Sequence, residues 1–328
     1  MIDIFFYEAF DKEAELLRQH MPESIRAEYS WKTIQESGHE KPPARLISTR
    51  TQSSLPESWV PQLAGILSRS TGYDHLLRWL ADTENPPQCG YLPLYCHRSV
   101  AEQALTLWMA LLRKLPRQIG NFPKFHREGL TGLENEGKTL LVVGVGNIGY
   151  EVVKIGWGLG MRVLGVDIDP KHPDVEYVNP QEGIRKADII VAAMNLTEDN
   201  RGYFHYDFLK QAPRGALFVN VARGELSPSG GLVRLVTEEH LGGVGLDVYD
   251  RESELAVLLR SKKESNDPEV QATLQLAKHT NIILTPHNAF NTIEAVERKA
   301  AQSVEQVVHF FEKSRFKWPV PVDGIPSR

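Results

Sequence analysis

The stretch Lys138-Thr-Leu-Leu-Val-Val-Gly144-Val-Gly146-Asn147-Ile148-Gly149 decides the fold. Lys138–Val143 is a nearly continuous apolar run, the pattern of a strand buried on both faces, and it passes directly into G-x-G-x-x-G ahead of a helix-compatible segment. Each glycine has its own task there. Gly144 permits the tight turn, Gly146 lets backbone approach a pyrophosphate with no Cβ in the way, and Gly149 allows the helix to pack closely on the strand. The first helical residues, Asn147 and Ile148, bring amides and partial positive charge to the phosphates. Asp167 ends the next apolar run, where a carboxylate accepts the adenosine ribose hydroxyls and repels a 2′-phosphate, which favours NAD over NADP. Asp167-Ile-Asp169-Pro170 is also turn chemistry, the plainer reading of the same acid.

Outward from this motif, apolar runs recur at α/β spacing: Arg162–Val166, Ile189–Met194, Ala216–Val221, Gly243–Leu246 and Ile282–Leu284. Upstream, Ile2–Tyr7, Ala44–Ser48 and Ala64–Ser68 read as strands and Lys12–His20 as a helix. Ser99-Val-Ala-Glu102 has the form of a capping box opening an apolar-striped helix, Val100–Leu115, closed by Pro116. Thr292–Lys313 is again an amphipathic helix. The expected fold is α/β, with two doubly wound parallel-sheet domains. Residues 1–97 and 288–328 form a discontinuous, flavodoxin-like substrate domain, into which residues 98–287 are inserted as a Rossmann NAD-binding domain.

Composition is consistent with this. A chain of 328 residues with 41% hydrophobic and 24% charged residues is long enough for two cores, and a net charge of −5 provides no field for nucleic acid or an acidic membrane. No segment approaches the roughly 18 uncharged apolar residues of a membrane span, and Met1–Tyr7 carries an acid and no basic region, so a cytoplasmic protein is expected. Cys89 and Cys96 read as buried thiols rather than a disulfide. His75, Cys96 and His97 lack the spacing of a recognised metal site, so no metal is expected. Trp79, Trp108 and Trp157 read as core.

Three residues at strand ends carry chemistry: Arg223 in Asn220-Val221-Ala222-Arg223-Gly224, Glu252 five positions after Asp247, and His287 in Thr285-Pro-His-Asn-Ala289. Reduction of a 2-keto acid needs a cation for the carboxylate, a proton donor for the carbonyl oxygen, and a group that orients that donor and favours its charged form. Arg, His and Glu meet those needs. Singly, each has a plainer reading: a surface ion-pair residue, a loop acid and a capped loop histidine.

With these motifs in order, from about Ile2 to Pro321, the chain resembles the D-isomer-specific 2-hydroxyacid dehydrogenase family, and within it most resembles the D-lactate dehydrogenases. The resemblance implies catalytic roles for Arg223, Glu252 and His287, and a contact of Asp247 with the nicotinamide carboxamide. It also implies cofactor contacts at Val221 and Ala222 and at Asn195, which stands where family members commonly have proline. The loop Arg69-Ser-Thr-Gly-Tyr-Asp74 resembles one whose amides bind the substrate carboxylate, implicating Thr71 and Gly72; Tyr95 and Phe290 resemble residues lining the methyl side of the pocket. Ser48-Thr-Arg50-Thr-Gln52 departs from the D-lactate pattern, being polar where an aromatic is expected. Arg50 is either exposed and inert or a ligand for a second anionic group. The resemblance implies a small 2-keto or 2-hydroxy acid as substrate, most simply pyruvate and D-lactate. Hydroxypyruvate or glyoxylate reduction, 3-phosphoglycerate oxidation and an NAD(H)-sensing binder are the alternatives. It also implies a homodimer, for which Val100–Leu115 is the expected packing helix, and no appended regulatory module after Arg328.

Overall fold

In the computed structural model, which describes residues 2–261 and 264–321, the chain divides into two compact units, residues 1–96 with 291–328 and residues 97–290. The first unit holds five parallel strands: β1 (Ile4–Phe6), β2 (Ala27–Tyr29), β3 (Leu46–Thr49), β4 (Gly65–Ser68) and β5 (Gln88–Gly90). Their order, β2-β1-β3-β4-β5, is the flavodoxin-like doubly wound order. Apolar side chains of the sheet, including Phe5, Ile47 and Ile66, bury in one cluster with Trp59 and Leu76.

Helix Ile293–Lys313 completes this unit. Thr292 caps it by accepting the Ala295 amide, and its buried stripe runs Ala295, Val296, Lys299, Ala300, Ser303, Val304, Val307 and Phe310, a helical period with one cation inside it. A side chain at Gly65 would place its Cβ 2.7 Å from the Phe310 ring, so helix and sheet pack this closely only over glycine.

The second unit holds β6 (Thr139–Val143), β7 (Arg162–Val166), β8 (Glu176–Tyr177), β9 (Ile189–Ala192), β10 (Leu217–Asn220), β11 (Gly243–Leu246) and β12 (Ile282–Leu284). The order β12-β11-β10-β9-β6-β7-β8 is parallel throughout. This is the Rossmann order with a seventh strand added at the β11 edge. Because every strand points the same way, the residues after them gather on one edge: Gly144, Asp167, Ala193, Val221, Asp247 and Thr285. The direction of winding reverses between β6 and β9, which places the ligand crevice of this unit beside Gly144.

Several local expectations need correction. β2, β5 and β8 were not foreseen: they are two or three residues long and lie at or next to sheet edges, without the apolar run that marks a central strand. The long helix spans His97–Leu112, so Ser99 lies inside it and is no cap; its hydroxyl donates to the Phe290 carbonyl at 3.4 Å, while Glu102 pairs with Arg98. Pro116 does not close that helix but sits in the first turn of the next, Leu115–Asn121, where its missing N–H costs nothing.

The apolar stripe of His97–Leu112 is spent inside its own unit, with Leu107 only 3.0 Å from where a Cβ on Gly245 of β11 would lie. Exposed apolar side chains lie instead just beyond it, at Ile119, Phe122 and Phe125. Trp108 is fully buried, but Trp157 is 37% exposed and edge-on to Tyr150 rather than core. Both cysteines are free and buried, and burial pushes the Cys89 thiol up to about 12. Among the described residues no helix is long and apolar enough to cross a membrane.

Candidate active site

The glycine loop has the geometry its sequence demands. Gly144 takes φ +92, and a Cβ there would lie 2.4 Å from the Met194 backbone; at Gly149 it would lie 1.9 Å from the Gly144 carbonyl oxygen. At Gly146 the same test meets nothing within 4 Å, so the backbone stands open where a phosphate would approach. Helix Asn147–Gly158 starts there, with the amides of Asn147, Ile148 and Gly149 in its first turn. Asp167 is half-buried; it accepts the Val145 amide at 2.6 Å and the Asp169 amide at 2.9 Å. It thus serves the turn and also ties the end of β7 to the glycine loop. Open backbone, helix start and acid together fit a dinucleotide. Asn195 is exposed after β9, its carbonyl accepting from the Asn200 amide group.

Arg223 follows β10 on a loop pinned by Asn220. That side chain is completely buried: it donates to the Arg223 carbonyl and to Ser227 Oγ, both at 2.8 Å, and accepts the Ala222 amide at 2.9 Å. Val221 and Ala222 are buried. The Arg223 guanidinium is half-buried and donates to the Ala222 carbonyl. A Cβ on Gly224 would lie 1.8 Å from the Tyr249 carbonyl carbon, so the Arg223 loop rests directly on the backbone that leads to Glu252.

His287 Nδ1 lies 2.7 Å from Glu252 Oε1, with both side chains 31% exposed. Against a carboxylate, Nδ1 carries the proton and Nε2 is the nitrogen left for other partners. His287 itself takes φ +49, a left-handed conformation that costs a non-glycine residue about 1–2 kcal/mol. Asp247 holds it there. This fully buried carboxylate accepts from Thr285 Oγ1 at 2.5 Å, from the Asn288 amide at 3.0 Å and from the Ala289 amide at 2.8 Å, bracketing the histidine. Burial raises the Asp247 pKa, and these hydrogen bonds together with the nearby His287 pull against that rise. The geometry therefore gives Asp247 the task of fixing the His287 loop. Tyr249 adds a second tie, its hydroxyl donating to the Thr285 carbonyl at 2.8 Å.

The pocket residues named from the sequence fall in both units. In the first, Thr71 Oγ1 donates to the Leu92 carbonyl at 3.1 Å and lies 3.2 Å from Cys96 Sγ, and the Gly72 carbonyl accepts from Ser70 Oγ at 2.7 Å. Tyr95 is buried, its carbonyl accepting from Arg298 Nε at 2.9 Å. Phe290 goes with the second unit, half-buried, next to the Ala289 that Asp247 holds.

Arg50 is not exposed. It is half-buried, its guanidinium over the Phe10 ring at 5.5 Å and its amide bonded to Glu8. Behind it lies a buried charge cluster that sequence reasoning missed: Arg69 and Lys299 both donate to Glu13 Oε1, at 2.9 and 2.8 Å. A lysine on the apolar stripe of the last helix was the available signal for it.

Residues 105–289 match the family model described as D-isomer specific 2-hydroxyacid dehydrogenase, NAD binding domain. A D-lactate dehydrogenase of Streptococcus agalactiae serotype III is 30% identical over 269 residues, covering 79% of this chain and 78% of that protein. Among solved structures, D-lactate dehydrogenase from Aquifex aeolicus, complexed with NAD and lactic acid, superposes with a TM-score of 0.84 at 24% identity, over 99% of this chain and all (100%) of that one. A D-2-hydroxyisocaproate dehydrogenase does so with a TM-score of 0.84 at 23% identity, over 97% and 99% of the two chains.

Proposed function

The chain belongs to the D-isomer-specific 2-hydroxyacid dehydrogenases, NAD-dependent oxidoreductases, and from that premise we propose that its own reaction runs through Arg223, His287 and Glu252. Arg223 holds the substrate C1 carboxylate, its planar fork orienting the neighbouring carbonyl. His287 gives a proton to the carbonyl oxygen in reduction and takes it from the hydroxyl in oxidation. Glu252 holds the imidazole so that Nε2 does this work. NAD, when bound, supplies the hydride exchange at C2. Gly144, Gly146 and Gly149, with the amides of Asn147 and Ile148, would hold its pyrophosphate and Asp167 its ribose, while Asn195, Val221 and Ala222 lie on the same sheet edge. Asp247 acts in this reading by positioning His287.

The observation that carries the proposal is the His287–Glu252 contact: a histidine paired with an orienting carboxylate, both partly exposed, has a use in proton transfer and none in a pure NAD(H) sensor. The names of the relatives support pyruvate and D-lactate as the substrate pair. The half-buried Arg50 supports a second reading, a 2-keto acid with another anionic group. A cytoplasmic location and a homodimer belong to the same proposal, and the exposed Ile119, Phe122 and Phe125 support the homodimer. The test is NADH oxidation against pyruvate, longer 2-keto acids, hydroxypyruvate, glyoxylate, oxaloacetate and 3-phosphohydroxypyruvate. Turnover of any of them supports the reaction, and none at all would return the chain to the sensing alternative.

A further inference from the structure

We propose that Gln103 is a positioning residue for proton transfer: from the helix His97–Leu112 it sets the direction of the Thr285 hydroxyl and, through Asp247, the placement of His287. The inference rests on the reading of the reaction given above, in which His287 carries the proton, and adds to it a residue that none of the strand-end motifs contains.

The helix meets the His287 loop with one row of side chains. Ser99, Gln103, Leu107 and Leu111 recur at i, i+4 spacing and so lie one above the other along a single face. The apolar half of the row seats the helix on β11, where a Cβ on Gly243 would lie 3.0 Å from Leu111 and one on Gly245 3.0 Å from Leu107. The glycines let the helix come down close on the strand, and that seat carries the polar half of the row to the segment after β12. There Gln103 Nε2 donates to Thr285 Oγ1 at 3.3 Å and Ser99 Oγ donates to the Phe290 carbonyl at 3.4 Å, one tie before His287 and one after it. All of these residues belong to the second unit.

A hydroxyl has one proton to give and two lone pairs to receive. Gln103 fills a lone pair of Thr285, and the Thr285 proton has two acceptors in reach, Asp247 Oδ1 at 2.5 Å and the Leu246 carbonyl at 3.4 Å. The Leu246 carbonyl already accepts the Thr285 amide at 2.9 Å, whereas Asp247 offers a charged acceptor at the shorter distance. With Gln103 in place the donors point one after another toward a single buried carboxylate, and bonds linked in this way strengthen each other. Burial raises the Asp247 carboxyl, and the Thr285 hydroxyl is the first of the hydrogen bonds that oppose the rise. Its direction therefore bears on how firmly Asp247 accepts the Asn288 amide at 3.0 Å and the Ala289 amide at 2.8 Å.

These two amides are what keep His287 at its left-handed φ of +49. Without the Gln103 donation the Thr285 hydroxyl is free to turn, the grip of Asp247 loosens, and Nε2 of His287 moves from the place where it exchanges its proton. A displacement of about 1 Å at a reacting group costs about 10²-fold in rate.

The experiment measures kcat and KM of the full chain with the 2-keto acid that the wild type turns over fastest, beside thermal melts. Thr285→Val keeps the shape and removes the hydroxyl; it should lower kcat by about 10- to 100-fold with KM little changed, and Thr285→Ser should restore most of the loss. Gln103→Leu should lower kcat by about tenfold. Gln103→Glu, close to glutamine in size but only an acceptor, draws the Thr285 proton away from Asp247 and should cost more than Gln103→Leu, whereas a side chain that merely packs would tolerate glutamate at least as well as leucine. Should Gln103→Leu fail to fold, Gln103→Glu and the Thr285 pair still decide. A kcat unmoved in the folded variants, or a Gln103→Glu more active than Gln103→Leu, overturns the proposal. If the wild type turns over no keto acid, the reaction reading fails separately and amide hydrogen exchange decides: faster exchange at Asn288 and Ala289 in Gln103→Leu supports the positioning role, and unchanged exchange overturns it.

Discussion

The Nδ1 of His287 sits 2.7 Å from Oε1 of Glu252, a contact made across 35 residues of chain between the loop that follows β12 and the first residue of the helix Glu252–Ser261. It is built from beneath. Asp247, at the end of β11, clasps the amides on the far side of His287, so the residue that precedes Glu252 by five positions also sets the backbone of its partner.

His287→Gln should lower kcat by about 10²–10⁴-fold while NADH still binds, since an amide cannot exchange the proton. Fluorescence titration of NADH beside steady-state rates checks this, and near-wild-type turnover would falsify the assignment. Glu252→Gln should lower kcat with less change in KM, because it removes the orienting charge and leaves the proton carrier.

Arg223→Lys should reduce kcat/KM for any 2-keto acid by about tenfold or more, because a point charge cannot reproduce two parallel hydrogen bonds to a carboxylate. Initial rates over a range of substrate concentration decide it, and an unchanged pair of constants would remove Arg223 from the substrate.

Asn220→Ala leaves the Ala222 amide, the Arg223 carbonyl and Ser227 without their buried partner, which should cost about 1–3 kcal/mol of stability. If the loop also sets Arg223, KM for the keto acid rises while the affinity for NADH stays. Thermal melts with both constants separate the two effects.

Asp167→Ala should shift the NAD-to-NADP preference toward NADP by about tenfold, through loss of repulsion against a 2′-phosphate. An unmoved ratio would leave Asp167 with the turn it already serves through the Val145 and Asp169 amides.

Lys299 makes stability depend on pH. Its folded pKa of about 7 lies below the ordinary 10.5, so between these values the unfolded chain binds more protons and stability rises with pH, by up to about 1.4 kcal/mol per unit. Lys299→Met should flatten that rise. Denaturant melts across this window check it, and parallel wild-type and variant curves would mean that Lys299 does not titrate there.

The sequence by itself determined what local sterics and periodicity control. An apolar run buried on both faces has few alternatives to a central parallel strand, and Gly144 and Gly149 stand where any Cβ would strike backbone, so strand and loop could be read together. Edge strands such as β2 and β8 lack that apolar signal, and Ser99 shows that a capping pattern can fall inside a helix when residues before it, here His97 and Arg98, also take helical geometry. Only the tertiary structure decided which polar groups meet. The pairing of His287 with Glu252, the grip of Asp247 on the histidine loop, and the burial of Lys299 and Arg69 around Glu13 each join different elements. A charge can be buried only where a partner from elsewhere in the fold arrives to meet it, and no local pattern records that arrival.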